Sequence, residues 1–140
     1  MNAGTETVEK LFSRSIQSLE GVFDFTNEFA LIHRINDKVR YVLDLAVEEF
    51  FTNMVKYNSK GTGGIQMRMS VNNNEIIVHL VDPDSEVFDV TKDRGIDLHK
   101  SLAERNVGGL GVFLVQKLVE NLHYHHQNRI STISFRLPLE

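Results

Sequence analysis

The stretch "DLAVEEFFTNMVKYN", residues 44–58, decides how the chain is read. Here and just upstream, Val39, Val42, Leu43, Ala46, Val47, Phe50, Phe51, Met54 and Val55 recur at i, i+3 and i+4. That rhythm predicts an amphipathic helix with its apolar stripe against a core. At roughly 100° per residue, Asn53 projects between Val42 and Ala46, inside the stripe, and Glu49 sits one turn earlier at its edge. Residues at i and i+4 point the same way. An unpaired amide in an apolar contact costs about 1–3 kcal/mol, so Asn53 needs a partner. Two partners are open. One is sheet backbone, with Glu49 reaching solvent. The other is a hard cation, because an amide oxygen suits Mg²⁺ when phosphates supply further ligands, and a neighbouring carboxylate can orient and deprotonate a nucleophile.

Working outward, "VEKLFSRSI" (8–16) places Val8, Phe12 and Ile16 on one side of a first strand. A helix follows with Leu19, Val22, Phe23, Thr26, Phe29, Ala30 and His33 at helical spacing, Ser18 as its N-cap, and Phe25 and Ile32 off the stripe as a second contact surface. After "NSKGTGG", Ile65, Met67, Met69 and Val71 alternate with polar residues as a half-buried strand. "NNN" at 72–74 signals a turn, and "EIIVHLVD" reads as a strand apolar on both faces, hence central, forming a hairpin with the one before it. Residues 83–108 are polar and charge-rich, with at most a short helix near 97–104, and read as a lid or binding loop. Helical spacing returns through Leu114, Val115, Leu118 and Leu122, and Ile133, Phe135, Leu137 and Leu139 alternate as a closing strand. The expected fold is α+β: a two-layer sandwich with a mixed, mainly antiparallel sheet on about three helices, forming one domain over 1–140.

Composition narrows the function classes. The 140 residues are 41% hydrophobic and carry a net charge of −4 with no basic stripe, which argues against nucleic acid as a direct partner. There is no cysteine, so disulfides and thiolate metal sites are excluded. No apolar run approaches the ~20 residues needed to span a bilayer. The polar, acidic "MNAGTETVEK" is unlike a secretory signal. A cytoplasmic domain without membrane attachment is expected.

Two further stations carry chemistry. "VGGLG" (107–111) opens a helix, where free N–H groups and the positive dipole end favour phosphate and glycine permits its close approach. Asp82 leaves the central strand in "DPDS", which is turn chemistry, but a carboxylate in an apolar pocket can also accept from the exocyclic amine of adenine. "HYHH" (123–126) puts His123 and His125 on one face of a strand with no third ligand at useful spacing, as surface histidines would be.

Glu-x-x-x-Asn on a helix, Asp after a strand, then a lid and Gly-x-Gly opening a helix: this order resembles the GHKL ATPase superfamily, which includes gyrase, MutL and histidine kinases. The likeness is nearest to the bacterial anti-sigma-factor serine kinases of the RsbW type. "EEFFTNMVKY" resembles that family's N box, and "GGLGVFLVQKLVENLHY" its glycine box, over about residues 8–137. The resemblance implies Mg²⁺ and ATP as cofactors. It makes Asn53 the Mg²⁺ ligand, Glu49 the general base, Thr52 a residue near the nucleotide, and Asp82 the acceptor for adenine's amino group. Gly109 and Gly111 would cradle the phosphates, and Arg105 would supply a cation to the terminal phosphate. "VFDV" (87–90) resembles the stretch that follows the family's adenine aspartate. One departure stands out: Asp84 occupies the position where the family has glycine, and a carboxylate there is expected to narrow the pocket or repel phosphate. The implied partners are a sigma factor, an antagonist protein phosphorylated on serine or threonine, and a second copy in a homodimer. The alternative is a module of the same fold that sequesters a partner without phosphoryl transfer.

Overall fold

The computed structural model describes residues 6–92 and 109–140. Strand β1 (Val8–Phe12) leads through a 3-10 turn at Ile16–Ser18 into α1 (Leu19–Ile32) and α2 (Asp37–Tyr57). The hairpin β2 (Ile65–Asn72) and β3 (Glu75–Asp82) follows, then α3 (Gly109–Leu118) and the hairpin β4 (Glu120–Gln127) and β5 (Ile130–Pro138). Among the described residues the strands form one sheet in the order β1-β2-β3-β5-β4, and every pairing there is antiparallel, not mixed. β3 is central, as its sequence indicates.

Both hairpin turns are two-residue loops with φ > 0 at each position: Asn73 and Asn74 between β2 and β3, Asn128 and Arg129 between β4 and β5. That backbone matches the right-handed twist of the strands it joins, and asparagine tolerates it well. The register puts Met67 opposite Leu80, Leu80 opposite Ile133, and Asp82 opposite Ser131. Period-two alternation therefore sends Ile76, Val78, Leu80 and Asp82 to the buried face, while Ile77, His79 and Val81 are only half-buried on the other. β3 is thus central but one-sided, because the helices cover a single face.

α2 is the helix that positions the site. Asn36 caps it, its side-chain oxygen accepting from Val39 N at 2.9 Å. Asp37 in the first turn and Lys56 in the last suit the helix dipole. Leu43, Ala46, Val47, Phe50, Phe51, Met54 and Val55 are buried, as the spacing predicts, and Asn53 is buried among them. Phe50 meets Phe135 of β5 with ring centroids 5.6 Å apart, and Phe51 meets Phe12 at 6.3 Å.

The structure corrects several local expectations. β1 stops at Phe12, and Ile16 belongs to the 3-10 turn and is exposed. Ser18 has helical backbone angles and makes no side-chain cap; Ser15 caps the 3-10 turn instead. In α3 the core residues are Val112 and Val115, while Leu114 and Leu118 face outward and Leu122 lies on β4. Phe25 is partly buried against Phe12. The expected short helix near 97–104 lies outside the described residues. Of the expected lid, residues 83–92 are anchored. Ser85 and Val90 are buried, Phe88 stacks on Tyr57 at 4.4 Å, and Gln116 Nε2 donates to the carbonyls of Val90 and Lys92.

Candidate functional site

Glu49 and Asn53 share one side of α2, and α3 comes to meet them. Asn53 is 4% exposed and its Nδ2 donates to Glu49 Oε1 at 3.5 Å, a long and weak bond. The amide thus finds the Glu49 carboxylate and not sheet backbone. Across from it, a Cβ built on Gly111 would run into the carboxylate of Glu49. Only glycine lets the first turn of α3 approach this closely. Burial is the largest influence on Glu49 and raises its pKa above the ordinary 4.5; the Asn53 hydrogen bond and the Lys56 charge pull it down less, and Glu48 pushes it up. A carboxylate held in this state is a stronger proton acceptor than an exposed one.

The far end of the site is built on the end of β3. Asp82 is fully buried and forms a bidentate ion pair with Arg14, Nη2 to Oδ1 at 2.7 Å and Nη1 to Oδ2 at 2.9 Å. Asp84 N donates to Asp82 Oδ1 at 3.0 Å. Between Asp82 and Asn53 lies a cavity of about 20 Å³, lined among others by Phe50, Asn58, Ser85, Phe88, Tyr124 and Ser131. That holds one water and not a purine. Its wall is tied by Tyr124 Oη accepting from Phe88 N at 2.9 Å and by the Ser85–Ser131 hydroxyl pair.

Asp84 does not play the part expected of it. Its carboxylate accepts from Thr62 N at 2.7 Å, Thr62 Oγ1 at 3.1 Å and Arg129 Nε at 2.7 Å, and it does not line the cavity. These bonds and the Arg129 charge lower its pKa from 3.8 to about 2. The clamp is therefore fully charged above pH 3.8 and is lost only as pH falls toward 2. The cavity is narrowed by Phe50, Phe88 and Tyr124, and not by Asp84.

Of the residues singled out in the sequence, Glu49, Asn53 and Gly111 come together, and Asp82 shares with Asn53 the lining of the small cavity beside them. Gly109 opens α3. Thr52 is half-buried on α2 and does not line the cavity. Arg105 lies outside the described residues. His123 and His125 are exposed on β4. Sequence reasoning missed Arg14, Asn58, Tyr124, Arg129 and Ser131. None had a local signal, and Arg129 meets Asp84 only once the hairpins are paired.

The donor set suits a metal–phosphate group: an amide oxygen at Asn53, a carboxylate of raised pKa at Glu49, and a helix start whose missing Cβ lets that carboxylate lie against it. Gly111→Ala separates packing from this use. Alanine is the better helix former by about 1 kcal/mol, and the group it displaces is the end of a flexible side chain. The expected result is an unchanged or slightly higher melting temperature with Mg²⁺–ATP affinity lowered about tenfold or more, as loss of one or two phosphate-facing contacts would give. Calorimetry and a thermal melt on the same sample check both.

This cleft, with its one-sided antiparallel sheet and its glycine-opened helix over Glu49, defines a GHKL-type ATPase domain. Residues 12–137 match the histidine kinase-like ATPase domain family, and the chain belongs to it. Its fold is that of RsbW-type domains. The structure of the RsbU and RsbW domains of Rv1364c from Mycobacterium tuberculosis superposes with a TM-score of 0.68 at 13% identity, over 96% of this chain. This chain spans about a third (32%) of that one. The SiaB–SiaC complex from Pseudomonas aeruginosa gives a TM-score of 0.64 at 17% identity, covering 93% of this chain and 87% of that one. No curated protein matches the chain.

Proposed function

We propose that this chain is a cytoplasmic anti-sigma regulatory factor that binds Mg²⁺–ATP and phosphorylates a serine or threonine of an antagonist protein. The observation that carries the reading is the meeting of Glu49, Asn53 and Gly111. Asn53 would offer its carbonyl oxygen to Mg²⁺. Glu49 would take the proton from the incoming hydroxyl. The α3 N–H groups at Gly109 and Gly111 would bind phosphate oxygens and offset their charge during transfer. Thr52 and Arg105 are carried as nucleotide-side residues by the family resemblance alone.

The family membership supports nucleotide chemistry. The RsbW-domain and SiaB–SiaC likenesses are in keeping with partner switching, in which sigma factor and antagonist compete for one regulator. A groove of about 330 Å³ lined by Val8, Phe25, Glu28 and Ile32 offers one place for a partner or a second copy.

The water-sized cavity beside Asp82 favours a second reading, the same fold sequestering a partner without phosphoryl transfer. Titration with Mg²⁺–ATP decides between them. The expected result is saturable heat and a rise in melting temperature that both vanish with EDTA. Absence of both at millimolar nucleotide leaves only the sequestering module.

A further inference from the structure

The second face of the sheet carries a polar cluster that the Glu49 cleft does not use. The helices pack on the face that holds Ile76, Val78 and Leu80, and among the described residues no helix covers the other. In register across three strands of that open face stand His79 of β3, Ser134 of β5 and His123 of β4. Arg136 follows one row on, opposite Ile77. A β-bulge makes room beside them. Between the pairs Glu120–Arg136 and His123–Ser134, β4 has Asn121 and Leu122 where β5 has only Phe135. The extra residue bends the edge strand, and Asn121 takes a φ of 52°, which asparagine tolerates. The result is a hollow of about 170 Å³ whose polar lining is His79, Asn121, His123, Ser134 and Arg136. One water needs about 10–15 Å³ of such space, so the hollow admits a group of several heavy atoms.

Every group of that lining can donate a hydrogen bond: a guanidinium, two imidazoles, a hydroxyl and an amide. The carboxylates on this face, Glu9, Glu75 and Glu120, lie outside it. Nor do they hold the cations tightly. Arg136 Nη1 to Glu75 Oε1 and Arg68 Nε to Glu9 Oε1 are both 3.6 Å, too long for hydrogen bonds, and Arg68 Nε is buried without one. Burial lowers the pKa of His79, and the charges of Arg68 and Arg136 lower it further, so an imidazole and two guanidiniums crowd one place in a chain of net charge −4. We propose that the hollow is a phosphate-group site, with Arg136, His79 and His123 donating to the oxygens and Ser134 and Asn121 completing the set. A phosphate group offers three acceptor oxygens and a carboxylate two, so donors converging from β3, β4 and β5 suit the phosphate. The site lies across the sheet from α2 and does not rest on the nucleotide reading.

The test is NMR of the histidine side chains in the wild-type protein, titrated with inorganic phosphate at constant ionic strength. The imidazoles of His79 and His123 are expected to shift saturably while His33 on α1 stays. A bound anion favours the charged imidazole, so the pKa of His79 should rise from its position below 6.5 when phosphate saturates the site. Arg136→Gln should weaken phosphate about tenfold or more, the size of one hydrogen bond to a charged group. Its melting temperature should hold, because the Glu75 pair it loses is part-exposed. Arg40→Gln removes a similarly exposed arginine on α2 and should leave phosphate binding unchanged. Equal losses in the two variants, or shifts still linear at tens of millimolar phosphate, reduce the effect to general charge and overturn the proposal. Saturable binding that leaves His79 and His123 unmoved places phosphate elsewhere and overturns it as well, as does acetate competing as strongly as phosphate. O-phosphoserine distinguishes the source. Binding at least as tight as inorganic phosphate assigns the site to a phosphate ester on a partner, and failure to bind assigns it to the free ion.

Discussion

Glu49→Gln should slow phosphoryl transfer to an antagonist by about 10²–10⁴-fold, the usual contribution of a general base, while Mg²⁺–ATP stays bound. The replacement is isosteric. The amide oxygen still accepts from Asn53 and keeps the same space opposite Gly111, so the α3 N–H groups proposed to bind phosphate are untouched. Only the proton acceptor is lost. Two further readouts bear on the role. Burial raises the pKa of Glu49 above 4.5, so the acid limb of the wild-type rate profile should lie above that value and be absent in the variant. A raised carboxylate pKa also means that the charged form opposes folding at pH values above it. The amide removes that penalty, and the melting temperature at neutral pH should not fall. Transfer and ATP affinity falling together would instead place Glu49 in nucleotide binding and leave the base unassigned.

The parts of this site that were legible in the sequence are those built on one helix or one strand end. Glu49 and Asn53 share a direction because the period of a helix is fixed, and the burial of Asn53 followed from its place in a stripe of known phase. The one-sidedness of the sheet was not legible. "EIIVHLVD" carries apolar residues at both parities, and only the placement of α1, α2 and α3 on one face shows which of them is buried. Arg14 illustrates the limit better. It stands 68 residues from Asp82, in "FSRSI", where nothing local distinguishes an exposed arginine from one that turns under the sheet. Its partner depends on β1 pairing with β2 in the observed register and on the backbone at Gly61 lying close enough to leave room for a guanidinium. Asp84 shows the same dependence from the other side. Its sequence position suggested a carboxylate in the nucleotide pocket, but the φ > 0 turn at Asn128 and Arg129 presents a guanidinium that draws it away.

Asp82→Ala should destabilise the fold by about 3–5 kcal/mol, the range for removing one partner of a buried ion pair. For a domain with about 5–15 kcal/mol of total stability this is a large fraction. The size follows from what is left behind. The Arg14 guanidinium would keep only the carbonyls of Thr62 and Asn58, at 3.2 and 3.5 Å, and the Asp84 N–H and the Asn58 amide would lose their acceptor. Relief by swinging Arg14 into water is opposed by the wall at Gly61, because leaving breaks the contacts that close the loop between α2 and β2 over it. Asp82→Asn keeps the shape and one acceptor and should cost less. The pair Arg14→Gln with Asp82→Asn, which removes both charges, should cost less than the two single changes added together, since neither side chain is then an uncompensated buried ion. Urea unfolding of the four proteins gives the cycle. A loss under about 1 kcal/mol for Asp82→Ala, the worth of an exposed pair, would mean that Arg14 reaches solvent easily and that the sheet opens readily at the end of β3.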